Sequence, residues 1–155
     1  MKYPSSIAID AGLLVLLVVG RVSPTQIGKH KRLRAFAIED YDALLKVISR
    51  ANRVVLTPNT LTEASNLATQ TAEPLRSKIR HVLRYVIEDT EEIYVTSHSS
   101  VARKEYSWLG LTDSVLLEVV DQNVALLTAD SGLHRQALLN GGESINFNHI
   151  RDLYY

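Results

Sequence analysis

The sequence contains no cysteine, which excludes a disulfide framework and any zinc site built from thiolates. It also has no excess of charge, because 17 basic residues balance 17 acidic residues. A chain without net charge has no global positive field that attracts nucleic acid, so any such ligand must be held by local patches. The proportions of 46% hydrophobic and 22% charged residues are ordinary for a globular protein.

The sequence also lacks an apolar run long enough to cross a bilayer. Its most apolar stretch, residues 11–19, follows Asp10 directly and is far shorter than the roughly 20 residues that a membrane-spanning helix needs. Lys2 followed by this run superficially resembles a secretory signal peptide, but a buried strand followed by a buried helix explains the same residues better. We therefore expect a cytoplasmic protein that does not enter a membrane.

Short apolar runs alternate with segments of helical periodicity along the chain, which predicts one α/β domain over residues 1–155. The predicted strands are residues 6–10, 53–57, 93–96, 124–128 and 144–147. The predicted helices are residues 11–19, 39–49, 60–70, 74–89, 101–108, 113–123 and 131–140, with Gly20 opening a loop after the first helix. This order predicts a three-layer α/β/α sandwich around a central, mainly parallel sheet.

Four acidic residues lie where the chain leaves a predicted strand or enters a predicted helix, namely Asp10, Glu63, Asp113 and Asp130. The carboxyl ends of parallel strands meet at one edge of a sheet, so we expect these side chains to lie close together. Two carboxylates about 4 Å apart, at an effective dielectric of about 20, repel by roughly 4 kcal/mol. A divalent cation would remove that repulsion, so the pattern predicts a site for Mg²⁺ or Mn²⁺.

Each of these acids also has a local structural explanation. Asp10 and Asp130 suit N-caps, which accept backbone N–H bonds at a helix start. Thr60 and Glu63 match a capping box, and Asp113 in a first helical turn is favoured by the helix dipole. The metal site is the stronger hypothesis because capping does not require all four residues to come from segments that converge on one edge.

Four short motifs carry these acids in order along the chain: Ile9-Asp10-Ala11, Leu61-Thr62-Glu63-Ala64, Leu109-Gly110-Leu111-Thr112-Asp113 and Leu127-Thr128-Ala129-Asp130. In order and spacing they resemble the acidic motifs of PIN-domain ribonucleases, a family that includes the VapC-type toxins of bacterial toxin–antitoxin pairs. The resemblance covers residues 7–148. It implies a PIN-like fold and an RNA substrate, and it suggests a homodimer with a cognate antitoxin as partner.

The resemblance also implies roles for individual residues. Asp10, Asp113 and Asp130 would hold Mg²⁺ or Mn²⁺ directly or through water, and Glu63 would orient that shell or help to deprotonate the attacking water. Thr128 would position the water or a neighbouring carboxylate. The reaction would be an in-line hydrolysis that leaves a 5′-phosphate and a 3′-hydroxyl.

The chain departs from the family pattern at two places. Many relatives carry Asn or Ser two positions after the first Asp, where this chain has Gly12. Many also carry a second acid shortly after the fourth motif, where this chain reads Ser131-Gly132-Leu133. The residues for a first metal ion are complete, whereas the number of metal ions, one or two, stays open.

Two groups of residues are candidates for contact with RNA phosphates. One is a basic segment next to the loop after the first predicted helix, formed by Lys29, Lys31, Arg32 and Arg34. It would offset the negative charge of the acidic cleft, or else it is an ordinary solvated loop. The second group is His134 and Arg135, which follow the fourth motif closely enough to reach a bound phosphate.

Other functions remain open on the sequence alone. The chain is somewhat long for a minimal toxin, which leaves room for a nuclease of RNA processing or phage defence. Gly12 and the missing second acid would also suit a catalytically silent PIN-like module that binds RNA or protein. A phosphotransfer domain built on Asp10 lacks a second acid two residues later, and a flavodoxin-like binder lacks a Gly-rich phosphate loop after the first strand.

Overall fold

One sheet of parallel strands organises the computed structural model, which describes residues 3–153. Its strands are β1 (Ser6–Ile9), β2 (Arg53–Leu56), β3 (Glu91–Glu92), β4 (Ala125–Thr128) and β5 (Ser144–Asn146). The helices are α1 (Ala11–Val22), α2 (Ile38–Ser49), α3 (Pro58–Ala68), α4 (Leu75–Asp89), α5 (Ser97–Val101), α6 (Tyr106–Val120), α7 (Ser131–Leu139) and α8 (Phe147–Arg151). A single 3-10 turn at Pro24–Gln26 lies between α1 and α2.

The strand order is β3-β2-β1-β4-β5, and every pair of neighbours is parallel. Central strand β1 has β2 on one side, where Ile7 is opposite Val54, and β4 on the other, where Ile9 is opposite Leu127. The chain thus builds outward from β1 in one direction and then returns to build outward in the other. The crevice at the carboxyl ends of β1 and β4 is the switch point at which open α/β sheets bind ligands.

Helices cover both faces of the sheet, which confirms the predicted three-layer α/β/α arrangement. Ile7, Ile9 and Leu127 point to the face covered by α1, α2, α3, α4 and α8. Their neighbours Ala8 and Leu126 point to the opposite face, which α6 and α7 cover. Successive residues of a strand therefore pack into two separate apolar cores, as expected for strands buried on both sides.

The first helix is longer than predicted. It continues through Gly20 to Val22, so the prediction of a loop opening at Gly20 is wrong. The aromatic ring of Tyr41 in α2 lies where a Cβ atom of residue 20 would stand, and only glycine allows this close approach. No helix within residues 3–153 is both long and apolar enough to cross a membrane, and Lys2 lies outside the described residues.

Two other predicted elements are corrected by the structure. The strand predicted at residues 93–96 is absent, and the edge strand β3 is formed by the preceding pair, Glu91–Glu92. The Ile93 N–H still donates to the Leu56 carbonyl, at 2.9 Å, and the chain then leaves the sheet. Helix α6 begins at Tyr106 and is broken at Gly110, whose φ of 82° interrupts the helical hydrogen bonds, so the predicted boundaries around it were wrong.

The final helix α8 is not among the predicted elements: Phe147, the last residue of the predicted strand 144–147, begins this helix. A buried ion pair attaches this helix to α2: Arg151 Nε lies 2.9 Å from Asp40 Oδ1, and Arg151 Nη2 lies 3.2 Å from Asp40 Oδ2. The same guanidinium donates to the Ala35 carbonyl and lies 4.9 Å from the centre of the Phe36 ring. This contact joins the last helix to the loop before α2.

Candidate metal centre

A buried hydroxyl connects the ends of the two central strands. Asp10 directly follows β1, and its Oδ2 accepts a hydrogen bond from the hydroxyl of Thr128, the last residue of β4. Thr128 is completely buried, and its Oγ1 also accepts the Asp130 N–H at 2.9 Å. One side chain thereby determines where both acids stand relative to each other.

Asp10 and Asp130 also cap the helices that follow them. Asp10 Oδ1 accepts the Leu13 N–H at 2.9 Å, and Asp130 Oδ1 accepts the Leu133 N–H at 3.1 Å. The prediction that these two residues are N-caps is therefore confirmed, but capping does not engage all the lone pairs of their carboxylates. A carboxylate offers about four lone-pair directions, so a capping oxygen can still face a cation.

Asp113 lies in the first turn of α6 after the break at Gly110. The Ser114 hydroxyl donates to the Gly110 carbonyl at 2.7 Å and so satisfies an acceptor at the break. The Asp113 carboxylate is half-buried, and it has no hydrogen bond or ion pair within residues 3–153. Burial, followed by repulsion from Asp130, Asp10 and Glu63, raises the pKa of Asp113 to about 7.

Glu63 is exposed on the second turn of α3, and its carboxylate also has no hydrogen-bond or ion-pair partner in the described part of the chain. The capping box predicted for Thr60 and Glu63 is wrong, because α3 begins earlier than expected. Its N-cap is Thr57, whose Oγ1 accepts the Thr60 N–H at 3.1 Å. Glu63 therefore does not take part in the capping box that the sequence predicted.

These four side chains, called the edge carboxylates below (Asp10, Glu63, Asp113 and Asp130), act on one another. Burial raises the pKa of Asp10, the hydrogen bonds from Thr128 and Leu13 lower it, and the charges of Asp130 and Glu63 raise it again. The same charges act on Asp113. The structure therefore brings the four acidic motifs to one edge of the sheet.

The edge carboxylates do not have the arrangement of a ready cation site. Among residues 3–153, no three His, Asp or Glu side chains are arranged so that they could ligate one metal ion. In the described part of the chain, neither Glu63 nor Asp113 is held by a hydrogen bond. The available donors are all oxygens, which suits Mg²⁺ or Mn²⁺.

Sequence reasoning missed two asparagines at this edge. Asn146 ends β5 opposite Thr128, and its Oδ1 accepts the Asn148 N–H at 3.0 Å, which caps α8. Asn148 Nδ2 donates to the Ala129 carbonyl at 2.7 Å. Together they hold the short link between Thr128 and Asp130. The sequence prediction placed Asn146 inside the strand at residues 144–147, whereas in the structure it is the N-cap of α8, a position that asparagine favours.

An open groove of about 480 Å³ adjoins Glu63. The groove is lined by residues of α3, including Asn59 and Asn66, and by Tyr94, in the segment that leaves the sheet after β3. Thr112, the neighbour of Asp113 in the chain, also lines this groove. The space therefore connects directly to the edge carboxylates.

The structure places the predicted phosphate-binding residues at different sites. His134 Nδ1 lies 2.6 Å from the Ser144 hydroxyl, and its ring centre lies 6.3 Å from that of His149. Burial and the neighbouring His149 lower the pKa of His134. Its hydrogen-bond partner is thus in β5 and is not an edge carboxylate. Arg135, the next residue, is exposed.

The basic segment is attached to the far end of α3. His30 is buried, with Nε2 2.8 Å from the Ala68 carbonyl, and its Nδ1 accepts the Arg32 N–H at 3.1 Å. The Arg32 Nε donates to Gln70 Oε1 at 2.8 Å. Ala68 lies about 7.5 Å beyond Glu63 along the helix axis, on the side away from the carboxyl edge. The remaining basic residues of this segment are exposed, namely Lys29, Lys31 and Arg34.

Comparisons with known proteins do not assign the chain to a family. No family model matches the sequence, and the searches of curated proteins and of solved structures likewise give no match. The resemblance to PIN-domain ribonucleases therefore depends on the four motifs of this chain and on the way in which its fold brings them together.

Proposed function

We propose that this protein is a Mg²⁺- or Mn²⁺-dependent endoribonuclease of the PIN-domain type, which hydrolyses RNA phosphodiester bonds. The observation that carries the proposal is the state of Asp113. Its half-buried carboxylate has no partner among the described residues, and three other acids raise its pKa to about 7. Such an arrangement is costly without a cation and is common at functional sites.

The edge carboxylates would have different roles at this site. Asp10, Asp113 and Asp130 would hold the cation, which when bound supplies charge neutralisation and an activated water. Thr128 keeps Asp10 and Asp130 in position through its two hydrogen bonds. Glu63 is exposed and unrestrained, so its carboxylate can reach and orient a water molecule or accept a proton from it.

The biological setting is part of the proposal and rests on the family resemblance. On that basis, the protein would be a cytoplasmic toxin of a type II toxin–antitoxin pair. It would form a homodimer, and its antitoxin would block the groove beside Glu63. Exposed apolar side chains, which include Trp108 and Leu139 with 58% and 70% of their surface exposed, offer surfaces for such partners. Co-expression with the product of an adjacent short reading frame, followed by size-exclusion chromatography, tests both associations.

Cleavage of labelled RNA in the presence of Mg²⁺ or Mn²⁺ tests the enzymatic proposal. We expect products with 5′-phosphate ends, and no products with EDTA or with the Asp10→Asn or Asp113→Asn variants. The matched control is Asp89→Asn, which removes an exposed carboxylate at the end of α4 and should leave cleavage unchanged. Cleavage that survives both EDTA and Asp113→Asn would overturn the proposal.

Binding of the cation can be measured without any RNA. A ligand that binds only the folded state at 100 times its Kd stabilises it by about 2.7 kcal/mol. We therefore expect Mg²⁺ or Mn²⁺ to raise the melting temperature of the native chain, and to do so much less in an Asp10→Asn/Asp113→Asn double variant. An equal rise in both proteins indicates non-specific binding and would count against the site.

A second candidate function is a PIN-like module that binds RNA or protein without turnover. It is favoured by one observation, the lack of a ready three-ligand metal arrangement within residues 3–153. Retention of RNA without products, unaffected by EDTA, is the outcome that selects it over the nuclease.

A further inference from the structure

The groove beside Glu63 has a chemistry that differs from that of the edge carboxylates. Among the described residues that line it there is no lysine or arginine, and Glu63 supplies the only carboxylate. A phosphate group would find no positive partner there. The part of a nucleotide that suits such a surface is the neutral base.

Tyr94 gives the groove a flat aromatic wall. Three quarters of its surface is exposed, and it takes part in no hydrogen bond or ring contact within residues 3–153. An aromatic ring in this position contributes little to the core. Exposed aromatic rings are among the platforms on which proteins stack the unpaired bases of single-stranded RNA.

The groove is also lined by hydrogen-bonding groups that match a base edge. Asn59 and Asn66 lie on α3, one on each side of Glu63, and both line the groove. A side-chain amide presents a donor and an acceptor together, as the edges of nucleobases do. The volume of about 480 Å³ lies within the range of roughly 300–1,000 Å³ for small-molecule sites, which is room for one nucleoside.

We propose that this groove holds one unstacked base of single-stranded RNA, with Tyr94 as its stacking platform and Asn59 and Asn66 at its edge. The inference rests on the proposed function, since it names the form of RNA that reaches the edge carboxylates. Glu63 and Thr112 line the same groove, so a base held there would lie next to the edge carboxylates. A base within a duplex cannot enter, because both of its faces are already stacked.

The test measures RNA binding in an Asp10→Asn background, so that the probe stays intact. The probes are fluorescein-labelled oligoadenylate and oligouridylate of about 12 nucleotides, within the usual single-strand site size, and a duplex of equal length. We expect Tyr94→Ala to weaken binding of oligoadenylate by about 5- to 100-fold, as loss of one stacking contact does. The effect should be smaller for oligouridylate, whose bases stack less well.

Two controls separate stacking from general damage. Tyr94→Phe keeps the ring and should bind within about twofold of the parent. Tyr85→Ala removes another exposed tyrosine, with 46% of its surface exposed against 75% for Tyr94, from α4 and outside the groove lining, and should change nothing. Asn59→Ala or Asn66→Ala should alter the preference between the two oligonucleotides more than their average affinity. The duplex should bind Tyr94→Ala and its parent equally.

The outcomes separate this inference from the proposed nuclease activity. Cleavage by the native chain together with unchanged affinity in Tyr94→Ala overturns the base site and leaves the nuclease standing. Binding that depends on Tyr94 without any cleavage supports the base site and overturns the hydrolase. If no variant binds either oligonucleotide, the base site is overturned, and a protein segment becomes the better occupant of the groove.

Discussion

The hydroxyl of Thr128 donates a hydrogen bond to the carboxylate of Asp10, a residue 118 positions away in the chain. The contact exists because β1 and β4 are parallel neighbours, with Ile9 opposite Leu127. Since the same oxygen accepts the Asp130 N–H, a single buried side chain links two of the four acids.

Replacing Thr128 should affect both stability and activity. Thr128→Val keeps the shape but leaves the Asp130 N–H and an oxygen of Asp10 without their partner, which costs about 1–3 kcal/mol. We expect cleavage to fall at least in proportion, because both carboxylates lose their restraint. Thr128→Ser should recover most of each loss. Urea unfolding in EDTA and cleavage rates measure the two effects, and a Val variant equal to the native chain would contradict this role.

Neutralising Asp113 should stabilise the metal-free protein while abolishing cleavage. The charge of Asp113 faces three other acids and has no partner in the described residues, so Asp113→Asn removes repulsion. We expect a gain of about 1–2 kcal/mol in unfolding free energy near pH 8, a modest value because water screens a half-exposed group. Urea titrations in EDTA measure it. A loss of stability would show instead that the Asp113 carboxylate makes a structural contact.

The stability of the metal-free protein should depend on pH through the same group. Asp113 has a pKa of about 7 in the folded state and 3.8 ordinarily, so the folded chain binds the extra proton between these values. Stability from this group therefore rises as pH falls from about 8 to about 4. His134, with its lowered pKa, acts in the opposite direction as pH falls through 6.5.

The contribution of Asp113 is isolated by comparing melting temperatures of the native chain and Asp113→Asn across this pH range in EDTA. The difference between the two proteins should be largest near pH 8 and should shrink toward pH 5. Because His134 is present in both, its effect cancels in the difference. A constant difference across the range would mean that Asp113 titrates normally.

Removing the ion pair between α8 and α2 should destabilise the fold. Asp40 is almost fully buried, so Arg151→Ala leaves a charge without its guanidinium partner and costs about 3 kcal/mol. Arg151→Lys should recover only part of this, because lysine cannot bind both carboxylate oxygens, reach Ala35 and cover the Phe36 ring at once. Thermal unfolding measures both variants, and equal stability of Lys and Arg at this position would contradict the two-point contact.

The sequence by itself determined the layout of the chain and the positions of the four acids. Apolar runs that follow one another at strand and helix spacing can bury their side chains only in a layered α/β structure, and this prediction is confirmed. The helix caps at Asp10 and Asp130 could also be predicted from the sequence, because they depend on backbone groups three residues away. Such local rules need no knowledge of the partner segments.

Only the tertiary structure decided what depends on contacts between distant residues. Gly20 continues α1 because Tyr41 packs on it, and β3 is Glu91–Glu92 because these residues pair with β2. The hydrogen bond between Thr128 and Asp10, and the unpartnered state of Asp113, arise the same way. Strand pairing and side-chain packing join residues that are far apart in the chain, so they cannot be predicted directly from residue spacing.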